Sequence, residues 1–207
     1  TGNITRSGSG TLMVTGMDTN TNTVTGLGVA GAVSAMRLTA TNGLSLMNNN
    51  MVDPWITDRV GNQFLKYDGT LGFQPITTGS SPANYVSIVN TVATTLTSGG
   101  NIPFNNGTEI LSAAGSNNYT LASNLDLYAL RLERDIDKSA DGAANRIIVR
   151  SGGIIQVANT PTINADLLFG SAGDGTGEAL IWASNNTLQI NGKIFASQVT
   201  KSGTAFL

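Results

Sequence analysis

The chain has 207 residues, no cysteine, no histidine and a formal net charge of −2, and only 12% of its residues are charged. These counts exclude disulfides, thiolate zinc sites, histidine-based metal sites and Ser-His-Asp catalysis, and they give no electrostatic support for nucleic-acid binding. Hydrophobic residues still make up 40% of the chain, so we expect a folded core rather than disorder. Abundant Thr, Asn, Ser and Gly indicate short strands with tight turns, which predicts an all-β protein.

The first segment, residues 1–50, is a series of short strand-like phrases that glycines separate. Polar and apolar residues alternate within several phrases, which is typical of strands that bury one face. We therefore predict that residues 1–50 form coils of a β-structure. The phrases are Thr11–Thr15, Asn22–Thr25, Ala32–Leu38 and Leu44–Met47.

The middle of the chain, residues 51–123, breaks this rhythm with prolines and aromatic residues. Between Tyr85 and Leu96 the apolar residues are spaced as on one face of a helix, but the Val and Thr content fits a strand equally well. We predict that this region is an irregular insertion, or an elaborated loop, packed on a regular β-scaffold.

The last region, residues 124–207, contains short apolar phrases, most of them separated by Gly, Asn or Asp. Ile148 and Ile181 have a sequence offset of 33 (181 − 148), and Ile155 and Leu188 have the same offset (188 − 155). We interpret this spacing as a coil repeat. The phrases are Leu127–Leu132, Arg146–Val149, Gly153–Val157, Asp166–Phe169, Ala179–Ala183, Thr187–Ile190 and Lys193–Ala196.

Two architectures fit such a series of short strands. In a parallel β-helix, each strand pairs with the equivalent strand of the next coil, and Asn and Gly turn the corners where left-handed backbone is needed. In an antiparallel β-sandwich, neighbouring strands would be joined by two-residue hairpins such as Asn42-Gly43 or Asn191-Gly192. We predict the parallel β-helix, with the antiparallel sandwich as the alternative.

Two phrases share a cation, a glycine turn and an apolar strand. They are TRSGSGTLMV at Thr5–Val14 and VTKSGTAFL at Val199–Leu207. Both resemble the phrase L-T-K-x-G-x-G-T-L-x-L of the autotransporter-associated β-strand repeat, although the second copy has Ala205 in place of a glycine. We interpret the second copy as the start of a next repeat, so that the chain spans about one period of a longer β-structure.

Other segments resemble the same family in the same order. Leu130–Leu132, Ser151–Ile155 and Gly170–Trp182 are similar to its strand and glycine-turn phrases. Pro54-Trp55, Phe64–Tyr67 and Gly72–Pro75 resemble a module found between its repeats. The resemblance implies a right-handed β-helix passenger segment on the outside of a bacterial cell, serving as a stalk, an adhesive surface or a matrix component. It implies no catalytic residue.

Two oxygen-rich segments suggest calcium, but each lacks part of the required pattern. Asp18–Asn22 spaces oxygen ligands as an EF-hand loop does, but Thr23 and Val29 stand where Gly and Glu are required. Asp174–Glu178 lacks the repeated glycine–aspartate pattern of calcium-binding β-rolls, and the glycines around it lack the Lys-Ser/Thr of a phosphate loop. We therefore predict no metal ion and no other cofactor.

The densest charge cluster surrounds Glu133–Lys138. Its balanced signs are typical of a solvated loop with local ion pairs, so we predict a chain that is not an enzyme. The alternative is a carboxylate pair such as Asp135 and Asp137 acting on a polysaccharide. The acids are Asp126, Glu133, Asp135, Asp137 and Asp141, and the bases are Arg131, Arg134, Lys138, Arg146 and Arg150.

Two groups of residues are candidates for binding. Four aromatic residues are candidate glycan contacts, although aromatic residues beside prolines more often pack over a loop. Three residues at the end of the chain would begin a strand whose partner comes from elsewhere, so they are the candidate self-association surface. The groups are Trp55, Phe64, Tyr67 and Phe73, and Thr204, Phe206 and Leu207.

The expected function follows from these features. We predict a non-catalytic structural or adhesive segment of a large extracellular bacterial surface protein, which forms a stiff β-rod or filament component. Its expected partners are flanking repeats, other copies of itself and surface glycans, but not nucleic acid, and no apolar stretch approaches the roughly 20 residues that span a bilayer. The alternative is a β-helix carbohydrate-active enzyme or a glycan binder similar to a phage tail fibre. The missing initial Met indicates a processed chain or a piece of a longer one.

Overall fold

The computed structural model of the chain describes residues 2–18, 23–25, 27, 38–58, 63–77, 84–90, 94–96, 106–140, 146–183 and 186–207. Within these ranges the regular structure is β-strand apart from one short 3-10 helix, Leu44–Leu46. The chain divides into two compact units, Thr1–Pro82 and Ala83–Leu207. In the described ranges no helix is both long and apolar enough to cross a membrane.

The first unit contains short strands that pair in twos: β1 (Leu12–Val14), β2 (Gly16–Asp18), β3 (Thr23–Thr25), β4 (Met47–Asn48), β5 (Met51–Val52), β6 (Ile56–Asp58), β7 (Leu65–Asp68) and β8 (Gly72–Pro75). β1 pairs with β6 in parallel, and the other three pairs are antiparallel neighbours. The described strands of residues 1–50 join no longer ladder, so the coils predicted there are not found among the described residues.

The second unit consists of strands that recur in a regular cycle along the chain. They are β9 (Tyr85–Asn90), β10 (Thr94–Leu96), β11 (Ile110–Gly115), β12 (Tyr119–Leu121), β13 (Leu125–Leu127), β14 (Ala129–Leu132), β15 (Ile136–Asp137), β16 (Arg146–Val149), β17 (Gly153–Gln156), β18 (Thr162–Ile163), β19 (Asp166–Phe169), β20 (Glu178–Ala183), β21 (Gln189–Ile190), β22 (Ile194–Phe195) and β23 (Gln198–Ser202).

These strands form three parallel sheets, and the successive coils add strands to each sheet in turn. Sheet A has the order β9-β11-β14-β17-β20-β23, sheet B has β10-β12-β15-β18-β21, and sheet C has β13-β16-β19-β22. Every pairing within them is parallel. The second unit is therefore a parallel β-solenoid, which confirms the predicted β-helix. The sandwich alternative is wrong here, because Asn191-Gly192 connects strands of two different sheets rather than a hairpin.

The core of the solenoid is made of rows of apolar side chains, one residue from each successive coil. In sheet C, Leu125, Ile147 and Leu167 are paired in register and are fully buried. Because side chains alternate along a strand, each coil directs every second residue into the core. Sheet A is buried on both faces at β20, since outward Trp182 is buried as well as inward Ile181. This explains the uninterrupted apolar phrase of β20.

The corners of the coils use the residues that the sequence predicted. Gly152 and Gly170 have positive φ angles of 85° and 123°, and the non-glycine residues Asn159 and Asn186 have φ angles of 61° and 53°. Asparagine tolerates this left-handed region better than most residues because its short amide can bond locally. The predicted role of Gly and Asn at the corners is confirmed at these positions.

The coil repeat predicted from two equal offsets is wrong. Ile148 pairs with Leu168, at a sequence offset of 20 (168 − 148), and Ile155 pairs with Trp182, at an offset of 27 (182 − 155). Ile148 and Ile181 lie in different sheets, C and A. The spacing varies because the loops at the corners differ in length, so a single period cannot be read from two pairs of residues.

The solenoid also begins earlier than residue 124. β9 to β12 lie within the segment predicted to be irregular, and β9 and β11 pair along their full length, from Tyr85 opposite Ile110 to Asn90 opposite Gly115. The described residues Tyr85–Asn90 are therefore strand and not helix. The Val and Thr content was the better guide than the helix-like spacing, because β-branched residues favour pleated strands.

Candidate functional site

One end of the solenoid leaves its core rows exposed, and we call it the open end. It consists of β21, β22 and β23, the last strands of sheets B, C and A. The sheet C row is fully buried as far as Leu167 and ends at Ile194, which is 37% exposed. The sheet A row continues from fully buried Ala179 to Val199, which is 46% exposed. Residues that occupy core positions are therefore in contact with solvent at this end.

A lysine also occupies a core row of the open end. Lys201 pairs in register with Ile181, so it continues the inward row of sheet A. Its ammonium group donates a hydrogen bond to the backbone oxygen of Gly203 over 2.8 Å. A lysine at an inward position of an edge strand is a known device against uncontrolled edge-to-edge pairing.

The predicted self-association residues belong to this end. Thr204 is exposed, Phe206 is 78% exposed and Leu207 is 47% exposed. The backbone oxygen of Phe206 accepts a hydrogen bond from the amide of Leu188 over 3.1 Å, so this segment follows the edge of sheet B. Sequence reasoning missed Ile194, Phe195 and Val199, because in the sequence they look the same as core residues of earlier coils.

The outward face of sheet B carries a ladder of polar side chains. The Asn164 amide donates to the Asp137 carboxylate over 2.6 Å, and the Asn191 amide donates to the Asn164 side-chain oxygen over 2.8 Å. Asp135 accepts a hydrogen bond from the side chain of Asn118 and another from the backbone amide of Thr162. These hydrogen bonds link successive coils.

Four residues of the charge cluster form two ion pairs, while Asp141 lies outside the described residues. Arg150 forms two hydrogen bonds with the two carboxylate oxygens of Asp126, over 2.8 and 2.6 Å. This bidentate contact raises the pKa of Arg150. Arg131 contacts Glu133 at 2.9 Å. The predicted local ion pairing is confirmed for these four residues.

The four candidate glycan contacts are buried in the first unit. Trp55, Phe64, Tyr67 and Phe73 expose less than a tenth of their surface. The rings of Tyr67 and Phe73 meet edge to face at 5.0 Å, and the Tyr67 hydroxyl donates to the backbone oxygen of Ala40 over 2.8 Å. Stacking on a sugar requires an exposed ring face, so these exposures do not support a glycan platform. Their burial agrees with the other reading of the sequence, in which aromatic residues beside prolines pack over a loop.

Trp55 also lines a shallow cleft of about 190 Å³ in the first unit, together with the segment Ile4–Ser7 and the residues Gly10, Thr11 and Leu12. The Arg6 guanidinium folds back onto the backbone oxygen of Gly10 over 2.7 Å. Asp53 lies beside Trp55 and Arg6. Burial raises the pKa of Asp53 above 3.8, although the hydrogen bond from Trp55 and the charge of Arg6 act in the opposite direction.

We expect Asp53→Asn to be more stable than the wild type at pH 7. Because the folded state raises the pKa of Asp53, this group stabilises the fold when protonated, and its contribution is lost as the pH rises through the raised pKa. The advantage of the variant should therefore vanish at and below about pH 3.8. Thermal unfolding midpoints at pH 7 and pH 3.5 measure the difference. A variant that is less stable than the wild type at pH 7 would contradict the expectation.

The candidate calcium segment Asp174–Glu178 fits a turn. Asp174 accepts hydrogen bonds from the backbone and the hydroxyl of Thr176, and these bonds lower the pKa of Asp174. In the described part of the chain no group of three or more acidic residues is placed to hold a metal ion. Residues 19–22 of the other candidate segment lie outside the described residues.

Comparisons with protein-family models, with curated proteins and with solved structures found no match. The fold of the second unit, Ala83–Leu207, is a parallel β-solenoid of three sheets with core positions exposed at one end.

Proposed function

We propose that this chain is a non-catalytic structural segment of a large extracellular bacterial surface protein, in which the solenoid acts as a stiff β-rod. The supporting observation is the continuity of the three sheets: each coil is held to the next by parallel strand pairing and by the buried row Leu125–Ile147–Leu167. Such repeats gain stability mainly from contacts with their neighbours, which suits a rod that is extended by further coils.

The open end supports a role in assembly. Its exposed core residues remain accessible to solvent unless a further coil or another chain covers them. Gly8 and Gly203, at equivalent positions of the glycine phrases at Thr5 and Thr200, both have positive φ angles, 58° and 85°. A repeated phrase at the edge of the last coil is what a modular rod would use to begin its next module.

A second candidate is a β-helix enzyme that acts on polysaccharides. It is favoured by Asp135 and Asp137, which flank the inward residue Ile136 and therefore face outward on the same side of sheet B. The Cα atoms of residues two apart on a strand are about 6.6 Å apart, a spacing that would let two outward carboxyl groups stand at a separation of the kind that inverting glycosidases use. Both carboxylates are already engaged by neighbouring coils, however, which favours the structural role.

The experiment that separates the two candidates is a screen for turnover of acidic and neutral polysaccharides. We expect no turnover by the purified chain. Asp135→Asn/Asp137→Asn is the matched variant, because Asn keeps the shape and the hydrogen-bond acceptor but removes the charge. Turnover by the wild type that is lost in this double variant would overturn the structural proposal.

A further inference from the structure

β9 is the first strand of sheet A, and among the described residues no strand pairs with its other edge. This edge lies within the chain, because 84 residues precede Tyr85 in the sequence. Val86 and Ile88 occupy inward positions of β9, yet both remain partly exposed. Their partners on β11, Leu111 and Ala113, are fully buried. The folded chain therefore leaves the edge of β9 in contact with solvent.

The hydrogen-bonding groups of this edge follow from the pairing on the other side. The backbone oxygen of Asn84 accepts a hydrogen bond from the Ile110 amide over 2.9 Å. In a parallel pair, alternate residues of a strand bond to the same neighbour, so the even-numbered residues of β9 bond to β11. The N–H and C=O groups of Tyr85, Ser87 and Val89 then point to the open side. Such a row of donors and acceptors is a template for pairing with another strand.

The edge of β9 lacks the residues that commonly protect an edge strand from pairing. Its sequence, YVSIVN, contains no charged residue and no proline, and no Asp, Glu, Lys or Arg occurs between Asp68 and Glu109. By contrast β23, the last strand of the same sheet, carries Lys201 at an inward position. Because β9 carries no charge, two copies of this strand can meet without like charges facing each other.

We propose that β9 pairs with β9 of a second copy in an antiparallel, two-fold arrangement centred on Ser87. A two-fold axis perpendicular to the sheet keeps inward residues on the inward side, so residues of the same parity lie opposite each other. Centring on Ser87 places Tyr85 opposite Val89 and Ser87 opposite itself. All three open N–H groups of each copy then find an acceptor, which gives six interchain hydrogen bonds (two copies, three donors each).

The side chains of β9 are complementary in the same register. On the outward face Tyr85 lies opposite Val89, which is 68% exposed in the single chain. Pairs of an aromatic and a β-branched residue are among the favourable cross-strand pairs. On the inward face Val86 lies opposite Ile88, in the non-hydrogen-bonded pairs where side chains approach most closely. The contact therefore also covers the core positions that β9 leaves partly exposed.

The resulting assembly is closed, because each copy uses its β9 edge once. Six hydrogen bonds lie in the lower part of the range of about 5 to 15 that is typical of protein interfaces, so we expect a reversible equilibrium with a dissociation constant between about 1 µM and 1 mM. The dimer mass is 42.8 kDa, twice the chain mass of 21.4 kDa. β21, β22 and β23 take no part in the contact, so this inference is compatible with extension of the rod from the open end and does not depend on it.

Sedimentation equilibrium on the full chain tests the proposal with Ser87→Lys and Ser87→Glu. Ser87 is exposed, so a charged side chain there is compatible with the folded single chain. Each variant alone should raise the dissociation constant by at least about tenfold, because two like charges lie directly opposite each other at the axis. An equimolar mixture of the two variants should restore association, since Lys then faces Glu.

Thr200→Lys and Thr200→Glu are the matched controls. Thr200 is the middle residue of β23, the other outermost strand of sheet A. We expect the dissociation constant to be the same as for the wild type in both variants and in their mixture. Circular dichroism of every variant confirms that the chain remains folded.

The outcomes are distinct. A dimer that both Ser87 variants weaken and that their mixture restores supports the proposal. A monomer at every concentration, open-ended polymers, or a dimer that the Ser87 variants leave unchanged would overturn it. A dimer that the Thr200 variants weaken would place the contact on β23, and a missing restoration in the Ser87 mixture would exclude pairing centred on this residue. The polysaccharide screen is independent of these results, so failure of the dimer and failure of the structural function are distinguishable.

Discussion

Replacing Leu167 by Ala should lower the free energy of unfolding of the solenoid by about 3 kcal/mol, within the roughly 2–5 kcal/mol typical of buried leucines. Leu167 is fully buried and sits in the sheet C row between Ile147 and Ile194. The truncation removes apolar contacts and leaves a cavity that paired strands on both sides cannot collapse to fill. Urea unfolding followed by circular dichroism measures the loss.

Leu168→Ala is the matched control for this prediction. Leu168 is the next residue of the same strand, but it faces outward and is only partly buried. We expect a loss below about 1 kcal/mol, since the side chain keeps part of its contact with water in both states. Equal losses for the two variants would show that β19 does not direct Leu167 into the core.

Gly152→Ala should be at least as damaging as the leucine truncation, with a loss of about 3 kcal/mol or more. Gly152 has a φ angle of 85°, and a Cβ atom there would stand 2.3 Å from the backbone oxygen of Glu178. A backbone oxygen in a paired coil cannot move aside as a flexible side chain can. Alanine therefore adds a clash to the strain of the left-handed conformation.

Gly173→Ala, in the same unit, tests the strain of the left-handed conformation without a clash against a backbone oxygen. Its φ angle is 69°, but the nearest atom to a new Cβ is the Cγ2 methyl of Ile148 at 3.1 Å, a side-chain atom. We expect a loss of about 1 kcal/mol from conformational strain. The thermal unfolding midpoint of Gly152→Ala should be well below that of Gly173→Ala. The reverse order would contradict the close approach of backbone atoms at Gly152.

Several features of the fold follow from local chemistry. Short apolar phrases identified most strands of the last region, and the Asn and Gly residues between them marked its corners. These signals work because strands that bury a face in the core are rich in apolar residues, and because few residues tolerate positive φ angles. The charge balance around Glu133–Lys138 likewise predicted ion pairs such as Arg131–Glu133.

Other features depend on contacts between distant residues. Ile148 and Leu168 are partners at a sequence offset of 20 (168 − 148), whereas Ile155 and Trp182 are partners at an offset of 27 (182 − 155). Loop length sets these offsets, and a loop can change length without changing the strands that it joins. For the same reason the start of the solenoid at β9 could not be found from the composition of the middle region.

At the open end, too, some residues were predicted from the sequence and others were identified only from the tertiary structure. Phe206 and Leu207 were predicted because a repeated phrase precedes them, but Ile194 and Val199 have the same sequence character as the buried Leu167. Only the order of strands in the sheets shows that β22 and β23 are the last ones, so that no described coil covers them. The sequence by itself determined an all-β chain with alternating strands and glycine corners, since these properties are local. The tertiary structure decided which apolar residues are core and which are surface, because burial depends on whether another coil lies beyond them.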